Sequence, residues 1–230
     1  MFYWLLKWVL LGPWLHLVGR PSFEGAENFP REGAALVAVN HLSASDWLFL
    51  PLRTPRRMTF LAKQEYFTKP GLYGAFQRFF FSATGQVPID RSSADAATDA
   101  METGIKVLES GEVLGMFPEG TRSPDGDLYK GKTGVARVAM RAGVPIIPVG
   151  LKGTDVFLSQ DSLRPHPTKI RIKVGEPIPI EEWVDKVGDR AAERELTNLV
   201  MERIQELSGQ TYHPDEYGAE VKKRLEAEGR

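Results

Sequence analysis

No cysteine occurs in the 230 residues, which excludes a disulfide framework, a thiolate nucleophile and a zinc-thiolate site, and suits a reducing compartment. Histidine is scarce as well. His16, His41, His166 and His213 are the full set, and no H-E-x-x-H pair exists to build a zinc-hydrolase site. No G-x-S-x-G elbow is present, so the serine-hydrolase reading invited by Ser43, Ser45, His41 and Asp46 lacks its usual support. There is no internal repeat, no low-complexity tract and no long uninterrupted apolar run. The first 18 residues, MFYWLLKWVLLGPWLHLV, would extend ~27 Å as a helix, short of a ~30 Å hydrocarbon core. Lys7, the Gly12-Pro13 break and His16 weaken a spanning reading further. A secretory signal is disfavoured by the lack of a basic start and of a small-residue cleavage site. Trp4, Trp8 and Trp14 suit the headgroup interface instead. A membrane-interfacial helix is therefore expected over 1–19; the competing readings are a helix packed on the protein's own core and a true span.

What is present argues for one large domain. With 42% hydrophobic and 26% charged residues the chain can bury a substantial core. The net charge of −1 hides an asymmetry. Between Asp46 and Asp90 the only acid is Glu65, against Arg53, Arg56, Arg57, Lys63, Lys69 and Arg78. The same region is rich in Phe and Tyr, a mixture that points to an anionic membrane surface or lipid rather than to nucleic acid. From Glu176 onward acids outnumber bases fourteen to eight, as on a solvated face.

Apolar runs bounded by turn residues predict strands at Ala35–Val39, Met58–Ala62, Val113–Phe117, Pro145–Leu151 and Lys169–Val174. Helical spacing is clearest in Asp95–Ser110, where Ala97, Met101, Ile105 and Leu108 share a face. Thr133–Ala142 and a segment through Leu196, Val200, Ile204 and Leu207 repeat the pattern. The alternation predicts an α/β fold with a largely parallel central sheet flanked by helices. The expected divisions are an anchor at 1–19, a catalytic domain at 20–208 and a polar, frayed tail at 209–230.

Two strand ends carry candidate chemistry. Ala35–Val39 runs into Asn40-His41-Leu42-Ser43-Ala44-Ser45-Asp46, and ligands collect at the carboxyl ends of strands in such sheets. Histidine can act as a base near neutral pH, and a carboxylate on its far nitrogen fixes the tautomer. In an ideal helix a five-residue separation leaves side chains ~140° apart, so the pair meets only if a turn precedes the helix. The bland alternative is a capping box of Ser43 and Asp46 beside a surface histidine. Val113–Phe117 runs into Pro118-Glu119-Gly120-Thr121-Arg122-Ser123, which can hold a phosphate or be merely a polar turn with a Glu119–Arg122 ion pair. Gly126–Thr133, GDLYKGKT, fits the P-loop pattern G-x-x-x-x-G-K-[ST]. A nucleotide site would need a strand ending at Gly126, and a polar turn precedes it instead.

Together, NHLSASD, GQVPIDR, FPEGTRS and VPIIPV resemble the four ordered blocks of the glycerophospholipid acyltransferase family, typified by the 1-acylglycerol-3-phosphate acyltransferases, over about residues 35–150. The resemblance implies that His41 deprotonates an acceptor hydroxyl while Asp46 orients it, and that the oxygen attacks an acyl thioester directly. It assigns the acceptor's phosphate to Lys63, Arg91, Glu119, Gly120, Thr121 and Arg122, with Asn40, Asp90 and Ser123 in support. Glu119 would repel phosphate and fits better as a turn organiser. Lys130 and Lys132 become a basic loop beside the acceptor or the CoA phosphates. No metal or cofactor is implied; acyl-CoA or acyl carrier protein is the co-substrate, lysophosphatidic acid the acceptor, and the cytoplasmic face of a membrane the location. Glycerol 3-phosphate or another lysophospholipid is the alternative acceptor, and a P-loop NTPase or a non-catalytic membrane adaptor the alternatives of another class. Pro88 departs from the bulky apolar residue usual in the second block and predicts an edge or bent strand.

Overall fold

The computed structural model describes residues 2–90, 95–159 and 164–229. Two helical pieces, α1 (Phe2–Leu5) and α2 (Leu11–Gly19), are joined by a π-helical turn over Leu6–Leu10. Next come β1 (Ser22–Glu24), β2 (Ala35–Val39), α3 (Asp46–Phe49), β3 (Met58–Lys63), α4 (Glu65–Thr68), α5 (Gly71–Ala83) and β4 (Gln86–Ile89). They are followed by α6 (Ala96–Glu109), β5 (Val113–Met116), β6 (Leu128–Tyr129), α7 (Gly134–Ala142), β7 (Ile146–Lys152), α8 (Thr154–Phe157) and β8 (Arg171–Val174). α9 (Arg190–Ser208), β9 (Tyr212–His213) and α10 (Gly218–Ala227) are the last elements.

Seven strands form the main sheet in the order β1-β8-β7-β2-β5-β3-β4. Every neighbouring pair is parallel except β7 with β8. The five expected strands are all present, and β4 lies at the sheet edge, where the missing N–H of Pro88 is tolerated. β2 is central and wholly buried. Its residues alternate between two cores, as a two-residue period requires. Leu36 and Ala38 pack with α6, α7 and α9, while Ala35, Val37 and Val39 pack with Leu15, Phe49 and Phe157 of α2, α3 and α8.

The amino-terminal helix packs on the protein's own core through one face and leaves its other apolar face exposed. Leu15 is 1% exposed, and burying a leucine side chain contributes about 1.5–3 kcal/mol. Gly19 lets α2 press onto Phe49, since a Cβ there would come within 2.6 Å of that ring. The outer face leaves Trp4, Trp8, Val9, Leu10, Trp14 and Leu17 in solvent. Among the described residues no helix is long and apolar enough to cross a membrane. Lys7, the apparent flaw in the apolar run, points inward: its Nζ donates to the Thr54 carbonyl at 2.6 Å, and burial lowers its pKa to about 8.

In the basic segment, Arg56 donates to the carbonyls of Gly33 and Gly111, whereas Arg57 is exposed and reaches the Ser82 carbonyl only at 3.5 Å. The aromatic part of the same segment forms α5, whose Leu72, Tyr73, Phe76 and Phe79 are exposed. Phe2 and Phe79 meet with ring centroids 4.7 Å apart, so α1 and α5 meet at their exposed apolar sides. The frayed tail expected after 208 is corrected for the described residues, 209–229. β9 pairs with β6, Lys130 N donates to the Glu216 carbonyl at 2.9 Å, and Val221 of α10 is buried. Their polarity misled because the segment is held by hydrogen bonds and ion pairs rather than by an apolar stripe.

Candidate active site

Sheet order brings the motif blocks to one edge. β2 carries Asn40 and His41 beyond its carboxyl end, β5 beside it carries the FPEGTRS turn, β3 ends at Lys63, and β4 leads to Asp90. These four strands are mutually parallel, so their ends open on the same side. Lys63 and Asp90 are exposed there. Arg91 lies outside the described residues.

The turn required between His41 and Asp46 is present. His41 Nδ1 and Asp46 Oδ2 are 2.8 Å apart, and the same oxygen accepts from Leu42 N at 2.8 Å and Ser43 N at 3.0 Å. Asp46 is fully buried at the first position of α3, so its carboxylate folds back over the turn that precedes it. Of the alternative capping box only the half from Ser43 N to Asp46 forms. Ser45 makes no side-chain cap, and Ser43 Oγ donates to the Leu158 carbonyl at 2.7 Å. A carboxylate accepting at Nδ1 places the imidazole proton there and leaves Nε2 with its lone pair. The His41 ring is one-fifth exposed and stacks on Phe117 with centroids 3.9 Å apart. Phe60 stacks behind Phe117, so an aromatic wall sets the imidazole plane. Sequence reasoning did not assign Phe117 this part, although it is the first residue of the FPEGTRS block.

Glu119 is 2% exposed. Its Oε1 accepts from His41 N at 2.9 Å and its Oε2 from Tyr129 N at 3.2 Å, tying the histidine turn to β6. Ser123 N completes the junction by donating to the His41 carbonyl at 2.7 Å. Burial pushes the Glu119 carboxyl up to about 7; the two N–H donors oppose that, and the Asp46 and Asp125 charges add to it. With both oxygens occupied inside the protein, Glu119 organises the turn and does not face a ligand. That corrects the phosphate contact implied by the resemblance. Gly120, by contrast, is exposed with φ +70, and the Lys132 side chain lies over it: a Cβ added there would sit 3.0 Å from Lys132 Nζ. Arg122 and Thr121 are half-buried on the same turn. Lys130 points to the Tyr217 ring, 5.5 Å away.

The P-loop match fails on geometry. β6 begins inside GDLYKGKT, at Leu128, so no strand ends at Gly126, and Lys132 N donates to the Pro118 carbonyl at 2.8 Å. Asn40, expected only to support, is fully buried. Its Oδ1 accepts from Leu151 N and its Nδ2 donates to Leu151 O, both at 2.8 Å, so one side chain extends the pairing of β2 with β7 by a residue. That gives the buried VPIIPV strand a second use, because its end grips the residue before the histidine.

The acyltransferase family model matches residues 20–152. A 1-acyl-sn-glycerol-3-phosphate acyltransferase of Limnanthes alba is 32% identical over 208 residues, covering 81% of this chain and 72% of that protein. One from Borreliella burgdorferi is 32% identical over 133 residues, 58% of this chain and 51% of that protein. The human enzyme of that name, alpha form, is 28% identical over 183 residues, 77% and 63% respectively. The chain thus spans from half to about seven-tenths of these relatives. In fold it is similar to the crystal structure of the 1-acyl-sn-glycerophosphate acyltransferase of Thermotoga maritima, with a TM-score of 0.64 at 24% identity over 89% of this chain and 82% of that one.

Proposed function

This chain belongs to the acyltransferase family, and from that premise we propose that it transfers a long acyl chain from a thioester to the free hydroxyl of lysophosphatidic acid, forming phosphatidic acid at a membrane surface. The observation that carries the reading is the 2.8 Å His41–Asp46 pair at the end of β2, locked by backbone bonds to the FPEGTRS turn.

The chemistry follows from the geometry. His41 Nε2 takes the proton of the acceptor hydroxyl as its oxygen attacks the thioester carbonyl carbon, and the imidazolium that forms is stabilised by the buried Asp46 carboxylate. The carbon–sulfur bond then breaks. The departing sulfur takes the proton back from the imidazolium, leaving ester, free thiol and an unchanged enzyme. Holding both substrates at one strand edge converts a bimolecular encounter into a positioned reaction. Exposed Gly120 with Lys132 over it, the nearby Arg122 and Thr121, and Lys63 at the end of β3 form the proposed clamp for the acceptor's phosphate, to which Arg91, outside the described residues, is assigned by sequence alone. Glu119 serves them by fixing the turn.

The proposed entry for the acyl chain is the small groove lined by Leu6, Leu11, Leu15, Trp47, Leu48 and Leu52, with Lys7 and Gln86 also on its wall. Trp47, which lines this groove, directly follows Asp46 in the chain and meets Phe80 and Phe81 of α5. The outer faces of α2 and α5 supply the membrane contact, through aromatic and aliphatic burial more than through arginine. The donor, acyl-CoA or acyl carrier protein, belongs to the same proposal, as does the cytoplasmic face.

The test is thiol release by the purified chain in detergent, with palmitoyl-CoA as donor and lysophosphatidic acid or glycerol 3-phosphate as acceptor. Release that depends on an acceptor and vanishes in His41→Ala is expected. Absence of release with either acceptor refutes acyl transfer, and release retained by His41→Ala refutes the assigned base.

A further inference from the structure

The side chain of Gln210 reaches the catalytic turn from the carboxyl-terminal segment. Its Oε1 accepts from Asn40 Nδ2 at 2.7 Å, and its Nε2 donates to the Gly126 carbonyl at 2.7 Å. The orientation of both amides is dictated from outside. Leu151 presents one N–H and one C=O to Asn40, which forces Asn40 Nδ2 towards Gln210. Only the Gln210 oxygen can accept it, and only the Gln210 nitrogen can serve the Gly126 carbonyl. A flip of either amide would break bonds at both ends.

These contacts close a ring around the proposed base. From Asn40 the path runs through Gln210 to Gly126; Gly126 N donates to Ser123 Oγ at 2.9 Å; Ser123 N donates to the His41 carbonyl at 2.7 Å; and His41 is covalently joined to Asn40. Gln210 joins the end of β2 to the loop after the FPEGTRS turn from a third segment, beside the links made by Glu119 and by the Ser123–His41 bond. The loop is held on the carboxyl-terminal segment at further points. Leu128 N donates to the Thr211 carbonyl at 2.9 Å, and His213 Nε2 lies 2.9 Å from Asp127 Oδ2.

We infer that Gln210 is a positioning residue for acyl transfer: it holds the Asn40-His41 backbone and the phosphate-side loop in one register, so that Nε2 and the bound acceptor hydroxyl meet. This rests on the acyl-transfer reading and extends it to a residue outside every motif block. Displacement of a catalytic group by about 1 Å can cost on the order of a hundredfold in rate, so the effect falls on turnover rather than on binding.

The test uses the full chain with Gln210→Met, which keeps length and loses both bonds, and Gln210→Glu, which when ionised can accept from Asn40 but cannot donate to Gly126. For Gln210→Met a fall in kcat of at least about tenfold is expected, with KM for acceptor and donor within about twofold of the unchanged chain. For Gln210→Glu the rate relative to the unchanged chain should rise as pH falls through the carboxyl range and the donor returns. Unchanged kcat in Gln210→Met, or a change confined to KM, overturns the inference. If Gln210→Met does not fold, a pH-independent ratio for Gln210→Glu overturns it instead. Proton exchange at His41 Nδ1, followed by nitrogen-15 NMR, separates this inference from the activity it rests on. Faster exchange in either variant supports a loosened histidine even where no acyl transfer is found, and unchanged exchange in both counts against it.

Discussion

Replacing Glu119 by glutamine probes the junction between the two main motif blocks through stability. The wild-type carboxylate accepts from two backbone N–H groups, of His41 and Tyr129. Glutamine has a single acceptor oxygen, so one N–H faces an NH2 group; leaving a buried donor unsatisfied costs about 1–3 kcal/mol, independent of pH. The wild-type chain carries an opposing, pH-dependent cost. Its carboxyl is raised from 4.5 to about 7 by burial, so the unfolded chain ionises first. Stability from this group is therefore lost as pH rises from the unfolded value towards the folded one, and is level above it. Between pH 5 and pH 9 the loss integrates to about 2.5 kcal/mol. The two effects together predict a crossing. Wild type is the more stable at pH 5, and its advantage over Glu119→Gln shrinks by about 2.5 kcal/mol by pH 9, approaching parity or reversing. Urea unfolding of both chains across that range measures it, because every other titrating group cancels in the difference. A difference constant to within about 0.5 kcal/mol would refute the raised carboxyl, since linkage forbids a shifted group from leaving the curve flat.

Other expectations follow from the same geometry. Asp46→Asn retains an acceptor for the Leu42 and Ser43 N–H groups but removes the charge that stabilises the imidazolium; kcat should fall on the order of a thousandfold with little change in melting temperature, and full activity would dismiss the pair. Lys132→Ala should raise KM for a phosphorylated acceptor about tenfold while kcat for bound substrate changes less; a matched calorimetric titration with ATP should show no binding by either chain, and ATP affinity lost in the variant would restore the P-loop reading. Trp8→Ser with Leu17→Ser removes exposed apolar groups that pack on no core, so co-sedimentation with phosphatidylglycerol-containing vesicles should drop severalfold without loss of thermal stability. Unaltered sedimentation would move the membrane contact elsewhere on the surface.

Much of the fold was legible because the central strands are short apolar runs punctuated by Gly and Pro, and parallel strands buried on both faces leave that signature. The His41–Asp46 turn was legible as a geometric requirement, since five residues in a helix cannot bring the pair together. α5 escaped notice because its apolar stripe of Leu72, Phe76, Phe79 and Phe80 was weighed only as composition; in the fold most of that stripe faces outward and not into a core. The engagement of Arg56 was not legible because composition records charge and not the carbonyls of Gly33 and Gly111 that it meets.

By itself the sequence determined the alternation of strands and helices, the four motif blocks and their order, and the lack of any thiol, because each depends on residue type and near spacing. Only the tertiary structure decided that Glu119 turns inward, that Lys132 lies over Gly120, that the amino-terminal helix has an inner as well as an outer face, and that Gln210 closes on Asn40 from 170 residues away. Those contacts join segments with no local relation in the chain. Their partners are fixed by which strand ends the parallel sheet sets side by side.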